Sequence, residues 1–370
     1  MKVLIQLLVA TCFLSSTVAH AQYTRKTTTT KTTQKKKAPP APAPAPEPEM
    51  APLEEAPAAP VYHDTGAAYD PDHGKYDRNI ADLAFIPNKG RVLITGGLAG
   101  VNTERTINQF NSKYATEKIS GMGGAFGGLV GIFDGFAVGA TGQYLNFTAK
   151  TDYTNILSQS GSTKSSGFTN PDLIAFWRAL SMEQIGWFDV VVGAHYAPDL
   201  MKAKSATIYD DGTVAEGRPV YGFNAALYRK WSFIEGALSL KYDLGGDAEY
   251  ESATTGNTTT VKQPDITTLG VEVQGMFTEN LLGSAALRYK MRGAIERNYF
   301  DGTKSSDDAS KDLVMEIGGK MIFLPNTSML SASLNFGTTA DYSGKDTTNN
   351  PLDFKDGSIF GWSVMYTHQF

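Results

Sequence analysis

From residue 89 onward the chain alternates short and long connections without exception, and no other feature restricts its fold so tightly. Twelve segments there each read as a strand with period-two alternation: 90–102, 120–133, 136–149, 171–182, 187–197, 218–229, 231–243, 265–277, 281–293, 311–324, 329–338 and 357–370. The connections after even segments are short: Asp134-Gly135, Glu183 to Gly186, Lys230 alone, Thr278 to Asn280, and Pro325 to Ser328. Those after odd segments are long and polar, as in KTDYTNILSQSGSTKSSGFTN and GGDAEYESATTGNTTTVKQP. A soluble sandwich also alternates from residue to residue, but it has no reason to sort its connections by length. Strands that run up and down through a membrane, with tight turns on one side of it, do. Each segment is near the 9–11 residues that a tilted strand needs to cross a hydrocarbon layer.

The two faces of the strands agree. Ile234, Gly236, Leu238, Leu240 and Tyr242 share one side, and Glu235, Ser239 and Lys241 the other. Leu281, Gly283, Ala285, Leu287, Tyr289 and Met291 likewise oppose Ser284, Arg288, Lys290 and Arg292. A one-residue slip would turn three cations toward lipid at about 2–4 kcal/mol each near the midplane, so the register is set. Aromatic residues gather beside the short turns: Phe133, Phe136, Trp187, Phe188, Tyr228, Trp231, Phe277, Phe323 and Phe370.

The chain ends SIFGWSVMYTHQF, with Phe360, Trp362, Val364, Tyr366, His368 and Phe370 on one parity. With the sorted connections, this stripe and its terminal Phe resemble the bacterial outer-membrane β-barrel proteins, a porin-like family. The resemblance covers about residues 89–370 and identifies no particular member. It implies an all-β fold, a transmembrane antiparallel up-and-down barrel of about 12 strands, in the outer membrane of a Gram-negative bacterium. It also implies that Phe360, Trp362, Val364, Tyr366 and Phe370 are read by the barrel-assembly machinery. His368 departs from the family pattern, where an apolar or aromatic residue is usual. Outer-membrane lipid and lipopolysaccharide would surround the wall.

The preceding residues fall into four parts. Residues 1–21 have the layout of a secretory signal, with Lys2, an apolar run from Val3 to Leu14, and Ala19-His20-Ala21. Residues 22–37 carry six cations and no acid, a block unable to bury a core and expected to be disordered. Residues 38–60 include nine prolines and form a stiff spacer, reaching about 70 Å at ~3.1 Å per residue. Residues 61–88 are polar and unpatterned; DPDHGKYD within them has Gly74 and Lys75 where a calcium loop wants an oxygen ligand and a glycine. Cys12 is the only cysteine and leaves with the signal, so disulfide and thiolate chemistry is excluded. The net charge of −5, or −6 without Lys2, gives no overall basic field for nucleic acid. The periplasmic basic leader is expected to be inert, or else to hold peptidoglycan or another anionic envelope polymer.

One stretch points elsewhere. RVLITGGLAGVN sets Thr95-Gly96 and Gly100 as in the Thr-Gly-x-x-x-Gly-x-Gly of short-chain dehydrogenases, and Tyr114 and Lys118 follow as Tyr-x-x-x-Lys. Asn102 stands where the last glycine belongs, the Tyr-Lys pair comes too early, and no alternation of helices and strands follows. Glycines that relieve crowding in a curved wall are the better reading.

No enzyme is expected, and no cofactor or metal. The wall holds one credible histidine, His195, flanked in sequence by Asp189 and Asp199, with no nucleophile at a fixed spacing. Lumen charge is the sharper feature. Arg178, Glu272, Gln274, Arg288, Lys290, Arg292, Glu316, Lys320 and Asn335 lie on the inward parity. They form either a solute-selecting constriction with a tilt toward anions, or cross-strand ion pairs that fill the lumen. Twelve strands fall between barrels filled by side chains and barrels with open channels. The expected activity is passive passage of small polar solutes through a narrow charged lumen. The alternative is a non-conducting structural or surface-interaction barrel, tethered by its leader.

Overall fold

A computed structural model describes residues 69–70, 75–76, 80–154, 160–206, 210–231, 233–252, 255–323 and 327–370. The stretches expected to be a signal, a basic leader and a spacer, with most of 61–79, lie outside the described residues.

Twelve strands make the wall: β1 (Val92–Gln109), β2 (Ser112–Phe133), β3 (Phe136–Tyr153), β4 (Asp172–Leu180), β5 (Asp189–Ala197) and β6 (Val220–Trp231). β7 (Ile234–Asp243), β8 (Ile266–Thr278), β9 (Leu281–Arg292), β10 (Ser310–Phe323), β11 (Ser328–Thr339) and β12 (Pro351–Gln369) complete it. Each pairs antiparallel with its neighbours in sequence, and β12 closes on β1 from Leu352↔Gln109 to Gln369↔Leu93. The sheet therefore has no free edge, the condition for placing strand backbone in lipid. No helix among the described residues is long and apolar enough to cross a membrane. Thr95 to Gly100 lie within β1, so the dehydrogenase-like string sits in the wall and not at a strand–helix turn.

Exposure follows the expected parity. Leu238, Val271 and Leu287 form one cross-strand row on the outer face, each about half exposed. Glu235, Gln274, Lys290 and Glu316, on the other parity, are buried. The outward stripe of β12 includes Phe360, Val364, Tyr366 and Phe370, with Trp362 partly covered. Phe133, Trp187, Trp231, Phe277 and Phe370 stand exposed at the short-turn end. Arg229 lies over the rings of Trp187 and Trp231, at 5.9 and 5.3 Å from their centroids. Tyr228 is a correction to that girdle. It shares its parity with buried Ala226 and packs on the inner core, because β6 runs on to Trp231.

The long polar connections are also different from expectation, because much of their length is strand. Only Phe110 and Asn111, both at left-handed φ (50° and 63°), separate β1 from β2. Ser160–Phe168 pairs with the upper part of β3, Gly246–Ser252 with Thr258–Gln263, and Tyr342–Lys345 with β12. These pieces carry the cylinder past the membrane region and fill it with small cores of their own, such as Ile107, Ala115, Tyr342, Leu352 and Phe354.

The third departure bears on function. Residues 80–88, read in sequence as the end of a polar segment preceding the barrel, lie inside it. Ile80, Leu83, Phe85 and Ile86 are buried, and Ile80, Phe85 and Ile86 join a core with Leu93, Leu129, Ile174, Phe176 and Val191 of the inner wall. The cause is the composition of Ile80 to Ile86, IADLAFI, which has five apolar residues besides Ala84 and one acid. Gly131 on β2 permits the entry. A Cβ there would lie 2.4 Å from the Pro87 carbonyl oxygen and 2.1 Å from that of Asn88.

Candidate functional site: an occluded lumen

The inserted segment is gripped mainly by side chains of four strands, with Lys320 of a fifth behind them. Glu235 on β7 accepts the Leu83 N–H at 2.8 Å and the Gln274 amide at 2.7 Å. Gln274 also donates to the Ala81 carbonyl at 2.5 Å and accepts from the Lys320 ammonium at 2.6 Å. Lys230 pairs with Asp82 at 2.8 Å and Glu235 at 3.3 Å. Arg178 donates to the Ala84 carbonyl at 2.7 Å. Two ammonium groups and two carboxylates thus balance within one buried cluster, which low-dielectric surroundings require.

A second layer lies farther from the short turns. His195 on β5 is held at both ring nitrogens, Nδ1 by Asp172 at 3.1 Å and Nε2 by Asp243 at 2.8 Å. Gly222 on β6 stands between His195 and Asp243 in register, and a Cβ there would be 2.1 Å from His195 Nε2. Its missing side chain is what lets the imidazole reach across β6. Lys241 pairs with Asp243 at 3.1 Å. Arg288 is bonded to Glu316 and lies 3.7 Å from Glu272.

Above this layer, residues 210–219 fold back into the cylinder. Gly212 exchanges backbone bonds with the Ser160–Phe168 strand, at 2.9 Å to the Lys164 carbonyl and 3.1 Å from the Ser166 N–H. Val214 crosses to a core that includes Ala99, Ile119, Leu145, Phe147 and Ile359 of the far wall. Between the inserted segment and the His195 layer remains a cavity of about 120 Å³, walled by Leu83, Phe85, Phe176, His195, Lys241, Glu272 and Arg288 among others.

All nine inward-parity residues named from sequence sit on the lumen side, but not as one ring. Arg178 and Gln274 hold the inserted segment and Lys320 supports Gln274, while Glu272 and Arg288 wall the cavity, with Glu316 paired behind. Lys290 and Arg292 lie nearer the long-loop end. Arg292 donates to the Ser310 hydroxyl at 2.5 and 3.0 Å, and the buried Lys290 ammonium has no hydrogen-bond partner among the described residues. Asn335 on β11 is partly buried beside Gly361. The cationic stripe of β9 is therefore interrupted by acids where the cavity begins.

Nothing in the sequence singles out Lys230, Asp82 or the partners of His195 for the lumen, whereas Glu235 shares the polar face of β7 with Ser239 and Lys241. Lys230, by its sequence position a turn residue, is carried inward by β6. The carboxylates on His195 are Asp172 and Asp243, from β4 and β7, and not the sequence neighbours Asp189 and Asp199.

Glu216, in the connection between β5 and β6 and outside the spanning strands, is expected to make docking of the inward turn depend on pH. Its Oε2 is enclosed without a hydrogen-bond partner, and burial pushes its pKa up to about 7 against the pull of Arg218. A raised carboxyl binds its proton more tightly in the docked state. Docking is therefore strongest below the ordinary value of 4.5 and weakens as pH climbs through about 7. Protease cleavage within 198–219 of the intact protein should accelerate between pH 5.5 and 8.5, and Glu216→Gln should flatten the profile. A cleavage rate independent of pH in the unaltered protein would refute this.

No protein-family model matches the sequence, and no curated protein sequence does. In structure the chain is similar to an outer-membrane channel from Pseudomonas putida F1, with a TM-score of 0.51 and 12% identity over 77% of this chain and 97% of that one. A FadL homologue of Pseudomonas aeruginosa gives a TM-score of 0.41 and 10% identity, over 78% and 91% of the two chains. The outer-membrane protease OmpT of Escherichia coli gives 0.27 and 12%, over 76% and 96%. At these identities the likeness concerns fold and no activity. The fold is that of a bacterial outer-membrane β-barrel.

Proposed function

We propose that the chain is a narrow channel of the Gram-negative outer membrane, held shut at rest by its own residues 80–88, for small polar solutes. The short turns and the inserted segment face the periplasm in this reading, and lipid and lipopolysaccharide surround the wall. Phe360, Trp362, Val364, Tyr366 and Phe370 serve as the assembly signal. One observation carries the reading: the obstruction at the short-turn end is a single stretch of chain that adds no strand to the sheet and is held mainly by side chains. Such a part leaves without breaking the wall. The likeness to the Pseudomonas putida channel supports it at the level of fold.

A second reading keeps the barrel shut and assigns the work to its surface, with the basic leader bound to an envelope polymer. The filling of the cylinder at both ends favours it. Solute entry into liposomes separates the two. Liposomes carrying the full chain should admit glycerol slowly, through brief openings of the gate, and exclude trisaccharides. Entry no faster than in protein-free liposomes for every solute would remove the channel reading and leave the second.

A further inference from the structure

The cavity over the inserted segment joins an apolar side to a set of paired charges. We propose that it is a binding site for an uncharged, ring-sized molecule with one hydrogen-bonding group. This rests on the channel reading and names the solute class that the lumen holds.

Charge selects first. Every ionic group reaching the cavity already has a counter-charge: His195 lies between Asp172 and Asp243, Lys241 is 3.1 Å from Asp243, and Arg288 joins Glu316 with Glu272 at 3.7 Å. A charged guest must break one of these pairs or be buried beside a satisfied one, and both cost more than they return. A neutral guest disturbs none. The anion preference expected from the β9 stripe is thus not a property of this cavity, because Arg288 is neutralised by the wall.

Shape and surface select next. Phe85 of the inserted segment, Ile174, Phe176 and Val191 make one side apolar. A cavity on the order of 150 Å³ lined by such residues takes a benzene-sized guest, in a worked case from another protein; this one is about 120 Å³. Asn224 lines the same space and supplies a polar group, its amide engaged by no hydrogen bond among the described residues. A ring against the aromatic side with a hydroxyl toward Asn224 uses both features.

The test is a charge series on one skeleton. Cyclohexanol, cyclohexanecarboxylate and cyclohexylammonium are titrated calorimetrically against the purified full chain in detergent at pH 7. Cyclohexanol should bind saturably, with both ions at least tenfold weaker. Ala237→Phe, which places a ring in the cavity, should weaken cyclohexanol at least tenfold in the same detergent, and Ala286→Phe is the second such variant. Heat-dependent gel mobility verifies that each variant is folded. Carboxylate binding as tight as the alcohol, or no saturable alcohol binding to the unaltered chain, would overturn the proposal without any variant. Liposome entry of cyclohexanol-sized polar solutes is scored separately. Saturable binding without passage keeps the site and sinks the channel; passage without saturable binding does the reverse.

Discussion

A chain lacking residues 22–86 is expected to pass at least ten times the ion current of the full chain in a planar bilayer while remaining a folded barrel. The wall does not depend on the segment that is removed. β12 closes on β1 through its own ladder, and the Phe370 and Val92 backbones bond each other at 2.9 and 3.4 Å. The junction into β1 also survives, because Gly90 donates to the Gly131 carbonyl at 2.8 Å and Arg91 to that of Asn88 at 2.9 Å. What is lost is burial of Ile80, Leu83, Phe85 and Ile86, at about 1.5–3 kcal/mol each as an upper estimate. Leu93, Leu129, Ile174 and Phe176 would meet water instead, so the melting temperature should fall. The newly opened space is bordered by Arg178, Lys230, Glu235, Gln274 and Lys320, whose hydration favours a wet path. Heat-dependent gel mobility tests folding, and single-channel recording tests the current. A folded, trimmed barrel that carries no more current than the full chain would mean that residues 210–219 close the lumen by themselves.

The sequence revealed the architecture where two solvents meet the strand, and lost it where one does. In β7 and β9 every second residue faces acyl chains, so Leu238 and Leu287 contrast with Glu235 and Arg288 and the period is plain. Beyond the membrane the outer face meets water, and the inner face mixes buried ion pairs with small apolar clusters such as Ile107 and Phe354. Glu104 and Lys118 then pair at 3.1 Å on the outside while Arg105 and Glu117 pair at 2.6 Å within, and hydrophobicity carries no period. Those stretches read as loops for that reason. Ile80 to Ile86 failed differently. The run is apolar but has no strand partner and no alternation, so nothing local tells a lumen filler from a linker. For His195 the parity was visible, but its carboxylates depend on registers across four strands and on the gap at Gly222, which are properties of the pairing and not of any one segment.

Glu235→Ala should open the same gate without removing any of it. Three donors converge on this carboxylate: the Leu83 N–H at 2.8 Å, the Gln274 amide at 2.7 Å and the Lys230 ammonium at 3.3 Å. Truncation leaves the Lys230 ammonium with Asp82 as its remaining acid, and strands the Leu83 N–H. Removing one partner of a buried pair costs about 3–5 kcal/mol. The lower end applies, because Lys230 keeps Asp82 at 2.8 Å and Gln274 keeps the Ala81 carbonyl at 2.5 Å. All of that cost falls on the inserted state, since in the withdrawn state Glu235 is hydrated in either chain. About 3 kcal/mol is roughly a hundredfold in the equilibrium between the two, so a gate open ~0.1% of the time would be open ~10%. Glu235→Gln retains an acceptor for Leu83 but not the ion pair, and should fall between the parent and the alanine variant. Single-channel open probability is the readout, with gel mobility as the control for folding. Equal open probability in all three proteins would show that Glu235 does not hold the gate.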